Sequence, residues 1–294
     1  MFHHWSASWP VLIGYVLVAP WHLAGVLRLR ALRAGGSGLA DGVAWVQLRR
    51  EAVMCQLGLL LVLLALVSPL GYWSDVYIWL RAVQALLVAV VGPGLIVLGA
   101  PWLPFRQLWR PGGAEPTADR VIGVSFWVSR PVAVVVAFNA IFVAWQVPYL
   151  FDLAQANSAV ALAEHASLLA AGLLLWLQLI SSRPVTAPGS GLRRVAFIIG
   201  TVGVSTVLGM VLVFGNNVLY PAYANPAHHL MTVLDDQQLA GAVLWMGMLP
   251  PLITAAVALL SQWLDHEESA ELSAGLKKMT GARRGGWPSR PVIR

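Results

Sequence analysis

Predominantly apolar stretches recur along this chain with short polar segments between them, and seven are long enough to matter. They run Pro10–Leu29, Ala52–Leu70, Tyr77–Ala100, Pro131–Leu150, Ala159–Ile180, Val195–Phe214 and Leu239–Leu264. Each approaches the roughly 20 residues that a helix needs to cross a bilayer core of about 30 Å. The pattern therefore predicts an all-α integral membrane protein, a seven-transmembrane helix bundle over residues 1–264. A charged cytoplasmic tail over residues 265–294 follows, read as a short helix and then disorder. The third stretch holds Gly92-Pro93-Gly94 and the seventh Pro250-Pro251. Both are expected to kink or unwind, because proline has no N–H to give the preceding turn.

Composition supports the same class. Of the 294 residues, 58% are hydrophobic and only 11% charged, against roughly 25% charged in soluble chains. The net charge of +6 would suggest nucleic acid if the basic residues formed a patch. Instead, 18 of the 19 Lys and Arg fall in the odd-numbered loops and the tail. The even-numbered loops carry Asp75, Asp152, Asp235 and Asp236 and no Lys or Arg. By the positive-inside rule the N-terminus lies outside and the C-terminus in the cytoplasm. No nucleic-acid partner is needed; the lipid bilayer is the partner the charges describe. Arg81 alone breaks the rule, about one turn into the third stretch from its outer end. The segment from Pro101 to Arg110 interleaves aromatics with arginines, as interfacial segments do.

Few residues could carry chemistry. A single cysteine, Cys55, excludes an internal disulfide and any paired-thiolate metal site. The N-terminus lacks the basic start and short apolar core of a secretory signal, so the first stretch is read as a retained helix. No phosphate loop, serine elbow or His-Glu-x-x-His zinc helix is present, so a hydrolase or nucleotide-driven enzyme is not expected.

Ionisable groups at membrane depth are costly and hence candidates for function. Glu164-His165 lies near the outer end of the fifth stretch, where Ala161, His165, Gly172 and Trp176 share a helix face. The alternative is a buried histidine with Glu164 as its counter-charge. The seventh stretch opens on Asp235-Asp236-Gln237-Gln238, with Gln237, Gly241, Trp245 and Met248 on one face. Asp236 is placed to cap its own helix, or else to contact a metal or partner. Ahead of it, His228, His229 and Met231 offer imidazole and thioether, the ligands suited to copper outside the cell. Adjacent histidines in an exposed loop are also common without a metal. Arg81 must snorkel or find a carboxylate, and Glu164 and Asp236 lie at matching depth.

These motifs resemble the CtaG family of bacterial cytochrome c oxidase assembly factors. The likeness rests on Gln56-Leu57-Gly58 through Ser68-Pro69, on Gln84 and Pro93 to Pro101, on Trp145 with Pro148, and on Glu164-His165 with Gly172 and Trp176. Asp236-Gln237 with Ala240-Gly241 and Trp245 carries it furthest. The resemblance implies a multi-pass protein of the bacterial cytoplasmic membrane that is not an enzyme. Its partners would be cytochrome c oxidase subunits or other respiratory-complex subunits, and its expected task is copper delivery or insertion at the extracytoplasmic face. The implied metal ligands here are His165, with His228, His229 and Met231. Several family positions depart. Arg81 and Ala85 stand where the family has a His-Met-x-x-His pattern, Gln146 and Ala161 replace further histidines, and Leu244 replaces a methionine. A guanidinium fixed in the chain could then supply the charge that a metal would otherwise bring. The competing expectations are a copper-handling assembly factor, a metal-free scaffold or accessory subunit of a respiratory complex, and a small transporter with a polar path past Arg81 and Glu164.

Overall fold

A computed structural model describes residues 9–34, 45–102, 104–105, 130–182, 187–223 and 231–284. The described residues form helices, six of them long and apolar enough to cross a membrane. A seventh span exists if a bent pair is counted as one.

The first two spans are α1 (Trp9–Ala34) and α2 (Trp45–Val67), which pack on each other. Ser68 and Pro69 then start a new short helix, α3 (Pro69–Ser74). Ser68 Oγ accepts the Leu70 N–H at 3.2 Å, and Pro69 occupies the first helical position, where its missing N–H costs nothing. The third span is built in three pieces: α4 (Ile78–Leu86), a π-helical turn (Leu87–Val91) and α5 (Gly92–Leu98). The irregularity expected at Gly92-Pro93-Gly94 is thus a π turn just ahead of it. Such a wide turn leaves backbone carbonyls to be satisfied from outside the helix. Trp176 does this, its indole Nε1–H donating to the Val90 carbonyl at 2.7 Å.

That bond requires the fifth span, α8 (Ser158–Leu179), to lie almost against the π turn. Gly172 makes room, since a Cβ there would sit 2.1 Å from the Ala89 carbonyl oxygen. The fourth span departs from the single stretch Pro131–Leu150 predicted from sequence. Instead α6 (Pro131–Ala144) and α7 (Pro148–Ala156) meet at a 69° bend. Pro148 opens α7, and a residue before proline is pushed out of helical backbone. At about 1.5 Å per residue, the 14 residues of α6 reach only about 21 Å.

The last two spans, α9 (Gly191–Phe214) and α10 (Val233–Arg284), form an extensive helix pair. They cross at Gly209 and Gly241, where a Cβ on either would come within 2.8 Å of the other's carbonyl oxygen. Small residues allow such backbone approach in membranes. Helix α10 continues through Pro250-Pro251 without unwinding, and Thr254 Oγ1 donates to the Pro250 carbonyl at 2.8 Å. Beyond Leu264 the helix expected at the start of the tail is present as a continuation of α10, which runs on to Arg284. The tail beyond Arg284 lies outside the described residues.

The glycine contacts give a direct check by thermal unfolding in detergent. Gly241→Leu is expected to destabilise by about 1–3 kcal/mol through overpacking. Gly200→Leu, at a position with nothing within 4 Å of a new Cβ, is expected to leave the midpoint close to wild type.

Candidate functional site

Arg81 sits one turn into α4 and is 6% exposed, an expensive place for a charge. Three groups compensate it. One guanidinium nitrogen donates to Glu164 Oε2 of α8 at 2.7 Å. Another donates to the Tyr223 hydroxyl at 3.2 Å. The guanidinium carbon lies 4.0 Å from the centroid of the Phe151 ring in α7, a cation–π contact in a water-poor setting. Of the two carboxylates expected as partners from sequence, Glu164 is the one that pairs.

The surrounding shell fixes these groups. Tyr223, in the short 3₁₀ turn Pro221–Tyr223, accepts from Arg81 and donates to the Ser74 carbonyl at 2.9 Å. Burial pushes its phenol up to about 12, so it stays a neutral donor in ordinary buffers. Phe151 is covered by Tyr220 and Tyr223, with centroid separations of 4.1 and 5.6 Å. Tyr220 in turn donates to the Gln146 carbonyl at 2.8 Å, at the break between α6 and α7. Next to it, Trp145 donates to Ser167 Oγ at 2.9 Å, and Ser167 donates to the Glu164 carbonyl at 2.9 Å. The broken fourth span therefore braces the helix that carries Glu164.

Asp236 does something the sequence did not reveal. Its carboxylate, fully buried, accepts the Ile78 N–H at 2.9 Å and the Trp79 N–H at 3.0 Å. It caps α4 from across the bundle, where Tyr77 provides no side-chain cap. The reading of Asp236 as the cap of its own helix is thereby corrected. That task falls to Thr232, whose Oγ1 accepts the Asp235 N–H at 3.1 Å while donating to Asp235 Oδ2 at 2.6 Å. Adjacent Gln237 clamps the preceding loop, accepting from Leu219 N at 2.7 Å and donating to the Asn217 carbonyl at 3.1 Å. Asp236 and Gln237 thus tie α10 to the start of α4 and to the loop that delivers Tyr220 and Tyr223. Trp245 is half-buried, with its Cβ against Gly209.

The ion pair borders a cavity of about 430 Å³ whose polar wall includes Ser74, Asp75, Arg81, Gln84, Glu164 and His165. Ala161, one of the positions implied by resemblance to be histidine, lines it too. His165 is half-buried and also borders a second, apolar cleft. Met231 is half-buried and lines neither space. His228 and His229 lie outside the described residues. Among the described residues, no group of three His, Cys, Asp or Glu comes together to hold a metal. Glu164 Oε2 is engaged by the Arg81 guanidinium.

The fold and site define a class: a multi-pass helical membrane protein with a buried, internally neutralised charge cluster near one end of its bundle. The chain belongs to the family of cytochrome c oxidase caa3 assembly factors, whose family model matches residues 21–266. No curated protein and no solved structure matches it.

Removing one member of the pair exposes how the cluster is balanced. Glu164→Gln is expected to cost about 3–5 kcal/mol by leaving a buried charge uncompensated. The double variant Arg81→Met, Glu164→Leu is expected to recover most of that loss. Unfolding midpoints of the singles and the double, compared as a cycle, measure the difference.

Proposed function

We propose that this chain takes part in assembling cytochrome c oxidase as a non-enzymatic scaffold, its outer site organised by a built-in cation in place of bound copper. The observation that carries this reading is the guanidinium of Arg81 seated 2.7 Å from Glu164 and shielded by Phe151 and Tyr223. A fixed ion pair needs no ligand to neutralise it. The cluster then serves to hold α4, α7, α8 and α10 in one arrangement. A rigid outer surface for an oxidase subunit is the use such an arrangement supports.

The positive-inside distribution supports placing this end of the bundle outside the cytoplasm, with the N-terminus outside, the C-terminus inside and the protein in the bacterial cytoplasmic membrane. The partners in this reading are oxidase subunits meeting the chain within the membrane or at that outer face.

A second reading, transient copper handling, draws support from His165, whose imbalance of surroundings is notable: one side faces a polar cavity and the other an apolar cleft. In that reading copper is cargo, taken by His165 with His228, His229 and Met231.

Two measurements on the full chain separate these. Cells lacking the protein are expected to contain less assembled oxidase, and His165→Ala is expected to restore assembly as wild type does. Purified wild type is expected to hold copper well below stoichiometry, while Arg81→His combined with Ala161→His is expected to gain it. Stoichiometric copper in wild type, lost on His165→Ala together with oxidase assembly, would establish the cargo reading instead.

A further inference from the structure

Two spaces in the bundle meet. The polar cavity and an apolar cleft of about 400 Å³ share Val11, Leu66, Leu162 and His165 in their walls. The cleft runs between α1 on one side and α8 on the other, with α2 and α5 behind it. Its lining includes Gly14, Leu59, Leu63, Ile96, Leu169 and Leu173. Pro101, Trp102 and Phe105 line it as well. Among the described residues, α1 packs on α2, and the cleft separates it from α8 along this line. A Cβ built at Gly14 meets nothing within 4 Å, so the cleft is open there.

We propose that this composite space is a binding site for one phospholipid of the surrounding bilayer, of the zwitterionic, amine-headed class. One acyl chain lies in the cleft and the headgroup lies in the polar cavity.

The order of the lining carries the assignment. Polar residues are confined to the end near Asp75, Ser74 and Arg81, while the wall from Leu59 to Leu173 is hydrocarbon, which is the polarity profile of an amphiphile. A transmembrane helix of another protein fits less well, because its flanking residues would have to pass through the polar cavity beside α1. Charge selects the headgroup. Arg81 and Glu164 neutralise each other, leaving the Asp75 carboxylate as the net charge on the cavity wall. A purely anionic headgroup meets repulsion there. An ammonium reaches a carboxylate while its phosphate lies toward the guanidinium edge. The site stands apart from the proposed role in oxidase assembly, and either can fail without the other.

The test uses the full chain, extracted from its native membrane in mild detergent and analysed by native mass spectrometry. Wild type is expected to retain one phospholipid per chain through washing, with the amine-headed class enriched over its share in the membrane. Gly14→Trp fills the cleft and is expected to lower retention about tenfold. Gly200→Trp, which adds the same side chain at another open position on α9, is expected to leave retention unchanged. Asp75→Asn keeps the cleft and is expected to reduce the preference for amine-headed over anionic lipid about threefold. Exchange into nanodiscs of phosphatidylethanolamine and phosphatidylglycerol gives the same preference from defined lipid. Loss of all lipid on washing, equal loss in both tryptophan variants, or retention of anionic lipid alone overturns the proposal. So does a retained protein chain in place of lipid.

Discussion

A charged side chain inside a bilayer has nowhere to put its field except onto other parts of the protein, and the end of this bundle that holds Arg81 is arranged around that constraint. Arg81 is the charge. Glu164 supplies the counter-ion from α8, Tyr223 a hydrogen-bond acceptor from the loop after α9, and Phe151 a π face from α7. Each of these is itself held. Tyr223 is held by the Ser74 carbonyl, Phe151 by two tyrosine rings, and Glu164's helix by Ser167 and Trp145. Desolvating the pair is costly, so its value lies less in net stability than in allowing one arrangement of three helices and a loop.

The same constraint explains the irregular backbone. A π turn in the third span and a 69° break in the fourth both free carbonyls that hydrocarbon cannot satisfy. In both places a side chain from a neighbouring helix or loop supplies the missing donor, Trp176 to Val90 and Tyr220 to Gln146. Asp236 performs the complementary service for the free N–H groups at the start of α4. Residues that look in sequence like ligand candidates are here spent on backbone groups, which is a common fate for polar side chains at membrane depth.

What was legible in the sequence follows from range. The spans were readable from apolar run length, and the need for an acidic partner at Arg81 from the cost of a lone charge. Choosing Glu164 over Asp236 was not possible, because both lie at similar depth and only helix packing decides which reaches the Arg81 guanidinium. Asp236 was read as a cap, correctly in chemistry and wrongly in target, since a local rule sees only its own helix. The break at Trp145–Val147 was written in Pro148, yet the uninterrupted apolar run masked it. Pro250-Pro251 sit within α10, which continues as helix through both. Tyr220, Tyr223 and Phe151 gave no signal at all, as aromatic residues near a membrane end are expected there for interfacial reasons alone.

The claim on which this account turns is that a guanidinium stands where a cation is needed beside Glu164. It is tested most directly by an experimental density map of the full chain in lipid nanodiscs or crystals soaked with copper, with anomalous scattering recorded at the copper edge. The expected result is continuous side-chain density from Arg81 to Glu164 and Tyr223, and no anomalous peak in the cavity. An anomalous peak coordinated by Glu164 and His165, with Arg81 turned away, would contradict it.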